Sequence, residues 1–423
     1  MNLILIAVDT LRADALSCYG NTDLTSPEID RLASQGTLIE NFYSVGNCTH
    51  PGFTTMLSGM FPERTGVVSH WTRVSPPQEI RMMAEYFDEG GFTTAAIDNL
   101  YDRWVPGHQY YPWFKRGFSH YSYPQPANRF QPASDVSRAA CRWLRRSPRE
   151  PFFLFVHFWD THAPYNQAPE EFYRFYQGED PCDPRLDFMP PSVREAQRKT
   201  FGRPITDPAF VVAAYEAETN YVDRCIGEIV EDAGKLDDET AIALTSDHGE
   251  IMPPSRLALG RPWCFCHIGL SQGCLRLPFV AMVPGSQPVE TGGNFQLVDV
   301  LPTLLDLAGV TKPSGLDGIS FAGLFDGGSP KGRENLFFSE NTYQRQRAVL
   351  SSGWKYSRME KRYDSMPRRE LYCLREDPSE TINLCDLQVE RSDRMDTLIN
   401  EYVENTAGEV DPLRVQETTG RPY

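Results

Sequence analysis

The chain has 423 residues, of which 40% are hydrophobic and 12% aromatic, and it carries a formal net charge of −16. This length and apolar content suit a large α/β domain with a smaller second domain, and they exclude a disordered chain. The acidic charge excludes a nucleic-acid partner, because nucleic-acid binders need a basic face. No segment has the roughly 20 consecutive apolar residues of a membrane span, so no membrane partner is expected.

The N-terminal segment MNLILIAVDT is interpreted as a buried strand and not as a signal peptide, because no basic region precedes its short apolar run. The ten cysteines are too few over this length for a disulfide scaffold. Since there is no export signal, we expect reduced thiols in a cytoplasmic protein.

Short apolar runs alternate with helical patterns along the chain. Strands are predicted at 2–8, 93–97, 152–158, 240–247 and 278–284. Helices are predicted at 26–35, 51–58, 80–89, 133–146 and 208–233. The alternation predicts an α/β fold with a mostly parallel central sheet and helices on both faces. In such sheets ligands bind at the carboxyl ends of the strands.

Three of the predicted strands are followed by side chains that suit a divalent metal. Asp9 follows the first strand, Asp160 and His162 follow the strand at 152–158, and Asp247 and His248 follow the strand at 240–247. Each pattern alone is typical of a turn or a helix cap. Together they predict a metal site, because carboxylate and imidazole ligands suit zinc or manganese.

Six motifs, in order, resemble the sulfatase family within the alkaline phosphatase superfamily. They are LILIAVDTLRADALSCYGN with TSPEIDRLASQGTLIENFYS, FFLFVHFWDTHAPY, YVDRCIGEIV, SDHGE, VDVLPTLLDLAGV with DGISF, and ELYCLREDPSETINLCD. The resemblance extends over almost the whole chain. It implies an alkaline phosphatase/sulfatase-like sheet, a smaller C-terminal α+β domain and a metal-dependent ester hydrolase.

The segment NCTHPGFTTMLSG, residues 47–59, raises the question of the nucleophile. In sulfatases the cysteine of a C-x-P-x-R motif, a fixed distance before a TG pair, is converted to formylglycine. Here an SG pair replaces TG, and counting back nine residues from its serine gives Thr49, with Phe53 at the arginine position. The resemblance therefore implies Thr49 and not Cys48 as the nucleophile, activated by a metal and by a helix N-terminus. The alternative is that Thr49 only caps the helix.

The metal motif also departs from the calcium-binding sulfatases, which use two N-terminal aspartates and a late Asp-Asn pair. The late pair here is Asp247 and His248, and the first pair has a single carboxylate, Asp9. The set Asp9, Thr49, Asp247 and His248 resembles the single-metal site of phosphonate and phosphodiester hydrolases. It favours one divalent metal, manganese or zinc over calcium.

A second zinc site made of Asp160, His162 and His267 is an alternative. The Asp160-x-His162 spacing is that of sulfatases, which indicates one metal and a substrate-contacting His162. A zinc site made of Cys264, Cys266 and His267 has no second ligand pair at structural spacing.

The positions of two sulfatase lysines carry other residues here. Asn99 replaces the lysine of the GKWH motif, and His267 stands nine residues before the arginine of the R-x-P motif, where the second lysine is expected. His162 and His267 are therefore candidate general acids. Asn99, Tyr101 and Arg12 are candidate substrate contacts, although an arginine on a helix surface is the alternative for Arg12.

Two domains are predicted. Residues 1–329 form the catalytic α/β domain, and residues 330–423 form a subdomain with a small antiparallel sheet and a helix. The irregular insertion at 163–207 is interpreted as a lid or as a contact between copies in a homo-oligomer.

The leading functional hypothesis is a metal-dependent hydrolase that cleaves a phosphodiester or phosphonate monoester through Thr49. Its substrate is then a small anionic ester. One alternative is a sulfuric ester hydrolase that acts through Thr49 or Cys48. The other is a non-catalytic binding protein on a degenerate scaffold.

Overall fold

The computed structural model describes residues 1–70, 72–98, 111–122, 132–187, 189–252, 265–361 and 367–418. A large sheet and a small sheet organise these residues. The strands of the large sheet are β1 (Asn2–Val8), β2 (Thr37–Tyr43), β3 (Thr93–Ile97), β4 (His120–Ser122), β5 (Phe152–Phe158), β6 (Thr240–Thr245), β7 (Arg276–Leu277), β8 (Phe279–Met282) and β9 (Val289–Gln296).

Parallel pairing dominates the large sheet. Its strand order is β4-β3-β5-β1-β6-β8-β2-β7, with β9 paired to β2. Strands β4, β3, β5, β1 and β6 run parallel, whereas β8 pairs antiparallel with β6 and with β2. The predicted, mostly parallel sheet is confirmed. The carboxyl ends of β3, β5, β1 and β6 consequently meet at one edge of the sheet.

Strand β1 lies at the centre of the sheet and is buried on both faces. Its side chains alternate between two apolar cores, Leu3, Leu5 and Ala7 in one and Ile4, Ile6 and Val8 in the other. This is the environment that a continuous apolar strand predicts.

Helices cover both faces of the large sheet. The α-helices of the described residues, in chain order, are α1 (Pro27–Gln35), α2 (Thr49–Ser58), α3 (Pro62–Thr65), α4 (Met83–Glu89), α5 (Ala133–Leu144), α6 (Pro191–Phe201), α7 (Pro208–Ala233), α8 (Gln272–Leu275), α9 (Val300–Leu307), α10 (Val389–Thr406) and α11 (Pro412–Val415). The core on one face is formed with α1, α5 and α7, and the core on the other with α2, α4 and α9. The five predicted strands and five predicted helices are confirmed, with ends that differ by at most three residues.

The sequence patterns did not predict β2. Polar Glu40 and Asn41 interrupt its apolar run, so that local periodicity gives no clear strand signal. Pairing with β8 and β9 fixes this segment in the sheet.

The small sheet is antiparallel, and helix α10 packs against its strands β11 and β12. Its strands, in spatial order, are β10 (Asn335–Glu340), β11 (Gln346–Ser351), β12 (Trp354–Met359) and β13 (Arg369–Cys373). The predicted C-terminal sheet and helix are thus confirmed. The proposed domain boundary at residue 330 lies shortly before β10.

The segment 163–207 contains α6 and contributes to an apolar cluster that includes Tyr165, Ile205 and Phe210. Its role as a lid or oligomer contact stays a prediction. Within the described ranges no helix combines the length and the apolar character that crossing a membrane requires. The cysteines in the same ranges are free thiols.

Candidate active site

Asp9, Asp247 and His248 come together at the carboxyl edge of the large sheet. Asp9 follows β1, and the other two follow the adjacent parallel strand β6. All three side chains are fully buried, and one ligand atom from each lies within 4.8 Å of the other two. Nε2 of His248 is 3.8 Å from Oδ1 of Asp9 and 3.5 Å from Oδ2 of Asp247. This part of the predicted metal set is therefore brought together.

The two carboxylates are poorly satisfied by the protein alone. No described donor completes a hydrogen bond of normal geometry to either oxygen of Asp9 or to Oδ2 of Asp247. Burial, and next the charge of Asp247, raise the pKa of Asp9 well above its usual range. Unpartnered buried carboxylates are costly. A divalent cation removes this cost, so that the donor set fits the predicted metal.

His248 is oriented as a metal ligand. Its Nδ1 lies 2.9 Å from the carbonyl oxygen of Gly249, to which it donates. Nε2 then carries the lone pair and faces the carboxylates. Burial, reinforced by His267, lowers the pKa of His248 to about 3, which keeps the imidazole neutral and able to bind a cation.

Thr49, and not Cys48, faces this cluster. The hydroxyl Oγ1 of Thr49 is 3.3 Å from Nε2 of His248. Thr49 is the first residue of α2, and Cys48 occupies the cap position, so that Thr49 is not the cap of this helix. Cys48 packs with Ile268 and Tyr343 instead, and burial raises the pKa of its thiol well above the usual value.

Gly52 lets α2 approach the turn that carries Asp247 and His248. A Cβ at this position would lie 2.9 Å from the carbonyl oxygen of Asp247 and 3.3 Å from its Cβ. Only a glycine fits without a shift of the turn. The contact fixes the start of α2 next to Asp247 and His248.

Both candidate general acids lie at the site. The ring of His267 is centred 4.6 Å from that of His248, and the ring of His162 is centred 5.4 Å from that of His267. Nδ1 of His162 lies 2.7 Å from the carbonyl oxygen of Ala163. Burial is the main cause that lowers the pKa of His162, to about 4. The arrangement suits proton transfer to a leaving oxygen.

Sequence reasoning missed Glu250, although it belongs to the SDHGE motif. Its carboxylate is buried, lies 3.6 Å from Nδ1 of His267 and accepts a hydrogen bond of 2.9 Å from the hydroxyl of Tyr165. Burial raises the pKa of Glu250, but the interactions with His267, His162 and Tyr165 outweigh this and lower it. A carboxylate in this position orients the His267 imidazole.

Three further histidines at the site were also missed. They are His50, His70 and His157, so that six of the seven histidines in the described ranges gather here. The rings of His50 and His70 stack with centroids 4.2 Å apart. Nε2 of His157 lies 3.9 Å from Oδ2 of Asp9. Nothing in the local sequence patterns joined these positions, which lie far apart in the chain.

The other predicted positions are placed differently. Asn99 and Tyr101, like Cys264, lie outside the described residues. The guanidinium of Arg12 binds the carboxylate of Asp14 and the backbone carbonyl of Glu250, so that it holds the turn after β6 and does not face the cluster.

Asp160 caps helix α5. Its Oδ1 accepts a 2.7 Å hydrogen bond from the backbone N–H of Ala133. Together with His162 and His267 it was an alternative second zinc site. The described groups that suit a cation include Asp9, Asp247 and His248 but not this trio.

Comparisons with known proteins identify the family of this chain. The Sulfatase family model matches residues 1–310, and the model named N-sulphoglucosamine sulphohydrolase, C-terminal, matches residues 269–406. An arylsulfatase of Clostridium perfringens is 24% identical to this protein, over 94% of this chain and 92% of the relative.

Two solved structures show the same fold. The phosphonate monoester hydrolase of Agrobacterium radiobacter has a TM-score of 0.73 at 18% identity, over 97% of this chain and 96% of that chain. An enzyme in complex with its substrate D-glucosamine-2-N,6-O-disulfate has a TM-score of 0.72 at 19% identity, over 98% of this chain and 99% of that chain. Because the Sulfatase family model covers most of the chain, this protein belongs to the sulfatase family, within the alkaline phosphatase superfamily, and is an ester hydrolase.

Proposed function

We propose that the protein hydrolyses sulfate esters of a small anionic substrate, with Thr49 as the nucleophile and manganese or zinc as the cofactor. The sequence motifs favour phosphate-type esters, with sulfate esters as the alternative. Sulfate esters have the stronger support, because the matching family and the curated relatives are sulfatases. A neighbour of the same fold acts on a sulfated glucosamine, which supports sulfated sugars as the first substrates to test.

One arrangement carries this proposal. The hydroxyl of Thr49 lies 3.3 Å from Nε2 of His248, beside the buried carboxylates of Asp9 and Asp247. When bound there, a divalent cation supplies Lewis-acid polarisation of the ester and lowers the pKa of the attacking hydroxyl. The N-terminal end of α2, which carries a partial positive charge from the helix dipole, favours an anionic ester group next to Thr49.

In the proposed reaction Thr49 is the nucleophile, and His267 or His162 transfers the protons to the leaving oxygen and from water. The Thr49 hydroxyl gives its proton to solvent, its Oγ1 bonds to sulfur, and the bond between sulfur and the leaving oxygen breaks; the proton that Thr49 regains at the end also comes from solvent. The imidazolium of His267 or His162 gives its proton to that oxygen. The same imidazole then takes a proton from water, whose oxygen attacks sulfur and breaks the bond to Thr49. Sulfate is released, and Thr49 regains a proton.

Hydrolysis of a phosphodiester or phosphonate monoester is the second candidate, and the identity of residue 49 favours it. Formylglycine, once hydrated, can release sulfate by cleavage of a carbon–oxygen bond. A threonine ester lacks that route, so that water must attack sulfur or phosphorus directly. This requirement makes phosphorus substrates a necessary part of any test.

The test is a panel of aryl sulfate, phosphate monoester, phosphodiester and phosphonate substrates, together with sulfated monosaccharides. Each is assayed with metal-analysed wild type, Thr49→Ala and Cys48→Ala. We expect the highest kcat/KM for sulfate esters, loss of activity in Thr49→Ala, and activity retained in Cys48→Ala. Asp9→Asn is expected to lose both the metal and the activity.

Each other outcome points to a different function. Preference for diesters or phosphonates, with an inactive Thr49→Ala variant, supports the second candidate. An inactive Cys48→Ala variant with an active Thr49→Ala variant assigns the nucleophile to Cys48. No turnover of any ester by metal-loaded wild type supports the non-catalytic binding protein.

A further inference from the structure

His157 is a buried imidazole next to the candidate metal site that the proposed chemistry does not use. It lies near the end of β5, pairs across the sheet with Ala7, and has only 1% of its surface exposed. A buried histidine needs partners for both ring nitrogens. The two nitrogens of His157 have very different surroundings.

Nδ1 of His157 is held by a carboxylate. It lies 2.7 Å from Oδ1 of Asp98, which follows β3, and the other oxygen of Asp98 accepts a hydrogen bond from the hydroxyl of Tyr121 on β4. Asp98 accepts in this pair, so Nδ1 carries the proton. This tautomer leaves the lone pair on Nε2.

Nε2 of His157 points at the metal site. It lies 3.9 Å from Oδ2 of Asp9, and no described residue gives it a hydrogen-bond partner. His248 approaches the other oxygen of Asp9, with its Nε2 3.8 Å from Oδ1. These separations are too long for hydrogen bonds. The 3.9 Å separation is near the spacing of two ligands that each lie about 2.1 Å from one cation. His157 lies beside the group of Asp9, Asp247 and His248, whose ligand atoms are within 4.8 Å of one another, on the side of Oδ2 of Asp9.

The rest of the His157 ring is enclosed by apolar groups. Phe53 meets it edge-on with ring centroids 4.6 Å apart, and the ring of Trp159 is centred 5.1 Å away. Phe53 occupies the position of the arginine in the C-x-P-x-R motif. The buried nitrogen of His157 therefore approaches Asp9 with aromatic rings around it.

We propose that His157 is a further ligand of the divalent cation at Asp9, Asp247 and His248, and that Asp98 and Tyr121 are positioning residues for it. The proposal rests on the metal centre of the proposed function. A carboxylate that accepts from one nitrogen of a metal-binding histidine fixes the ring and raises its basicity. Two imidazole ligands also favour zinc or manganese over calcium.

The experiment counts the imidazoles bound to the cation. Metal-depleted protein is reconstituted with Mn²⁺, the bound metal is measured by elemental analysis, and coordinated histidine nitrogens are counted by electron spin echo envelope modulation. We expect one cation and two coupled imidazoles in the wild type, and one cation with a single imidazole in His157→Gln. The Mn²⁺ affinity of His157→Gln should fall by a factor of about 10 or more.

Asp98→Asn tests the positioning role without removal of the imidazole. We expect two coupled imidazoles but an affinity for Mn²⁺ about 10-fold weaker. His162→Gln is the matched control, because His162 is an imidazole of the same site whose Nδ1 faces the carbonyl of Ala163. It should leave both the imidazole count and the affinity unchanged.

Several results overturn the proposal. A single imidazole in the wild type, or an unchanged affinity in a folded His157→Gln variant, removes His157 from the ligand set. Two cations per chain assign His157 to a separate site. The variant Asp9→Asn distinguishes failure of the His157 proposal from failure of the proposed function. If Asp9→Asn does not change Mn²⁺ binding, the metal centre at Asp9, Asp247 and His248 is itself rejected. Circular dichroism establishes that each variant is folded.

Discussion

A threonine hydroxyl needs more assistance than a cysteine thiol to act as a nucleophile, because far less of it is ionised at neutral pH. Thr49 lies where this assistance is concentrated, at the start of α2 and 3.3 Å from Nε2 of His248. Cys48 is the more reactive residue type, but it packs with Ile268 and Tyr343, and burial raises the pKa of its thiol well above the usual value. At the scale of single residues, position outweighs intrinsic reactivity.

The pair His267 and Glu250 leads to a prediction about the leaving group. Glu250→Gln removes the carboxylate that lies 3.6 Å from Nδ1 of His267 and orients this ring, so that kcat for esters with poor, alkyl leaving groups should fall about 10-fold. Nitrophenyl esters need little protonation of the leaving oxygen and should lose much less. The measurement is kcat for both ester types.

The control is Glu218→Gln. Glu218 is a buried glutamate that accepts hydrogen bonds from the backbone N–H groups of Gln167 and Ala168. Equal losses for both ester types contradict the role.

Gly52 gives a prediction about packing. Gly52→Ala places a Cβ against the backbone of Asp247, which must shift, and should lower the free energy of unfolding by about 1 to 3 kcal/mol. The affinity for Mn²⁺ should fall as well, because the same turn carries Asp247 and His248. Gly234→Ala, where a Cβ has ordinary contacts of 3.5 Å or more, is the control for the methyl group. Calorimetry and metal titration of both variants check this.

At the scale of elements, the reactive groups follow the ends of strands. The first turns of helices α5 and α1 are capped by side chains from other elements. Helix α5 begins after Pro132, which has no side-chain group to act as a cap, and Asp160 from the end of β5 accepts from Ala133 instead. Asp223 of α7 likewise accepts from Glu28 and Ile29 at the start of α1. The first contact ties α5 to the sheet edge where the site lies, and the second ties the start of α1 to α7.

Asp160→Ala should therefore lower stability without a change in metal binding. Loss of the α5 cap is expected to cost about 1 kcal/mol in the free energy of unfolding. Asp160→Asn keeps the acceptor oxygen and should cost much less. Chemical denaturation together with Mn²⁺ titration separates the two effects. A large drop in Mn²⁺ affinity in Asp160→Asn would return Asp160 to the metal site.

At the scale of the whole molecule, side chains from the small sheet and from α10 complete the packing of the large sheet. Tyr402 of α10 stacks on Phe337 with ring centroids 4.3 Å apart, and its hydroxyl donates to Glu63 at 2.7 Å. Glu340, at the end of β10, is buried and accepts from the backbone N–H of Tyr343 at 3.2 Å. The contact surface between the sheets thus contains buried acidic groups.

Glu340 predicts a pH dependence of stability. Burial, only partly offset by hydrogen bonds, raises its pKa from the ordinary 4.5 to about 7 in the folded protein. Between these two pKa values the folded state binds more protons than the unfolded state, so the free energy of unfolding falls as pH rises. Glu340→Gln should remove this pH-dependent loss. Between about pH 5 and about pH 8, the free energy of unfolding of the variant should therefore rise relative to that of the wild type by on the order of 2 kcal/mol.

Chemical denaturation across this pH range provides the measurement. Glu334→Gln, on the exposed surface near the start of β10, is the control for removal of a negative charge. If the two variants differ from the wild type by amounts that do not change with pH, Glu340 is not the titrating group.

Local pattern was sufficient for the framework and for part of the site. Continuous apolar runs indicate buried strands. Polar residues directly after such strands lie at the carboxyl edge of the sheet, where ligands bind in α/β folds. Asp9, Asp247 and His248 were predicted on this basis, and parallel pairing of β1 with β6 brings them together. Thr49 needed more, because only the register of a family motif separates it from Cys48.

By itself the sequence determined the alternation of strands and helices, the mostly parallel sheet and the strand-end ligands, because each depends on residues close together in the chain. Only the tertiary structure decided the roles of Glu250 and His157. Strand period places His157 on the same face as Phe153 and Phe155, where it looks like one more core residue. In the folded protein His157 lies next to Asp98, which follows β3, and Asp9, which follows β1. These neighbours depend on the order of the strands in the sheet. Strand order is a long-range choice that local periodicity does not contain.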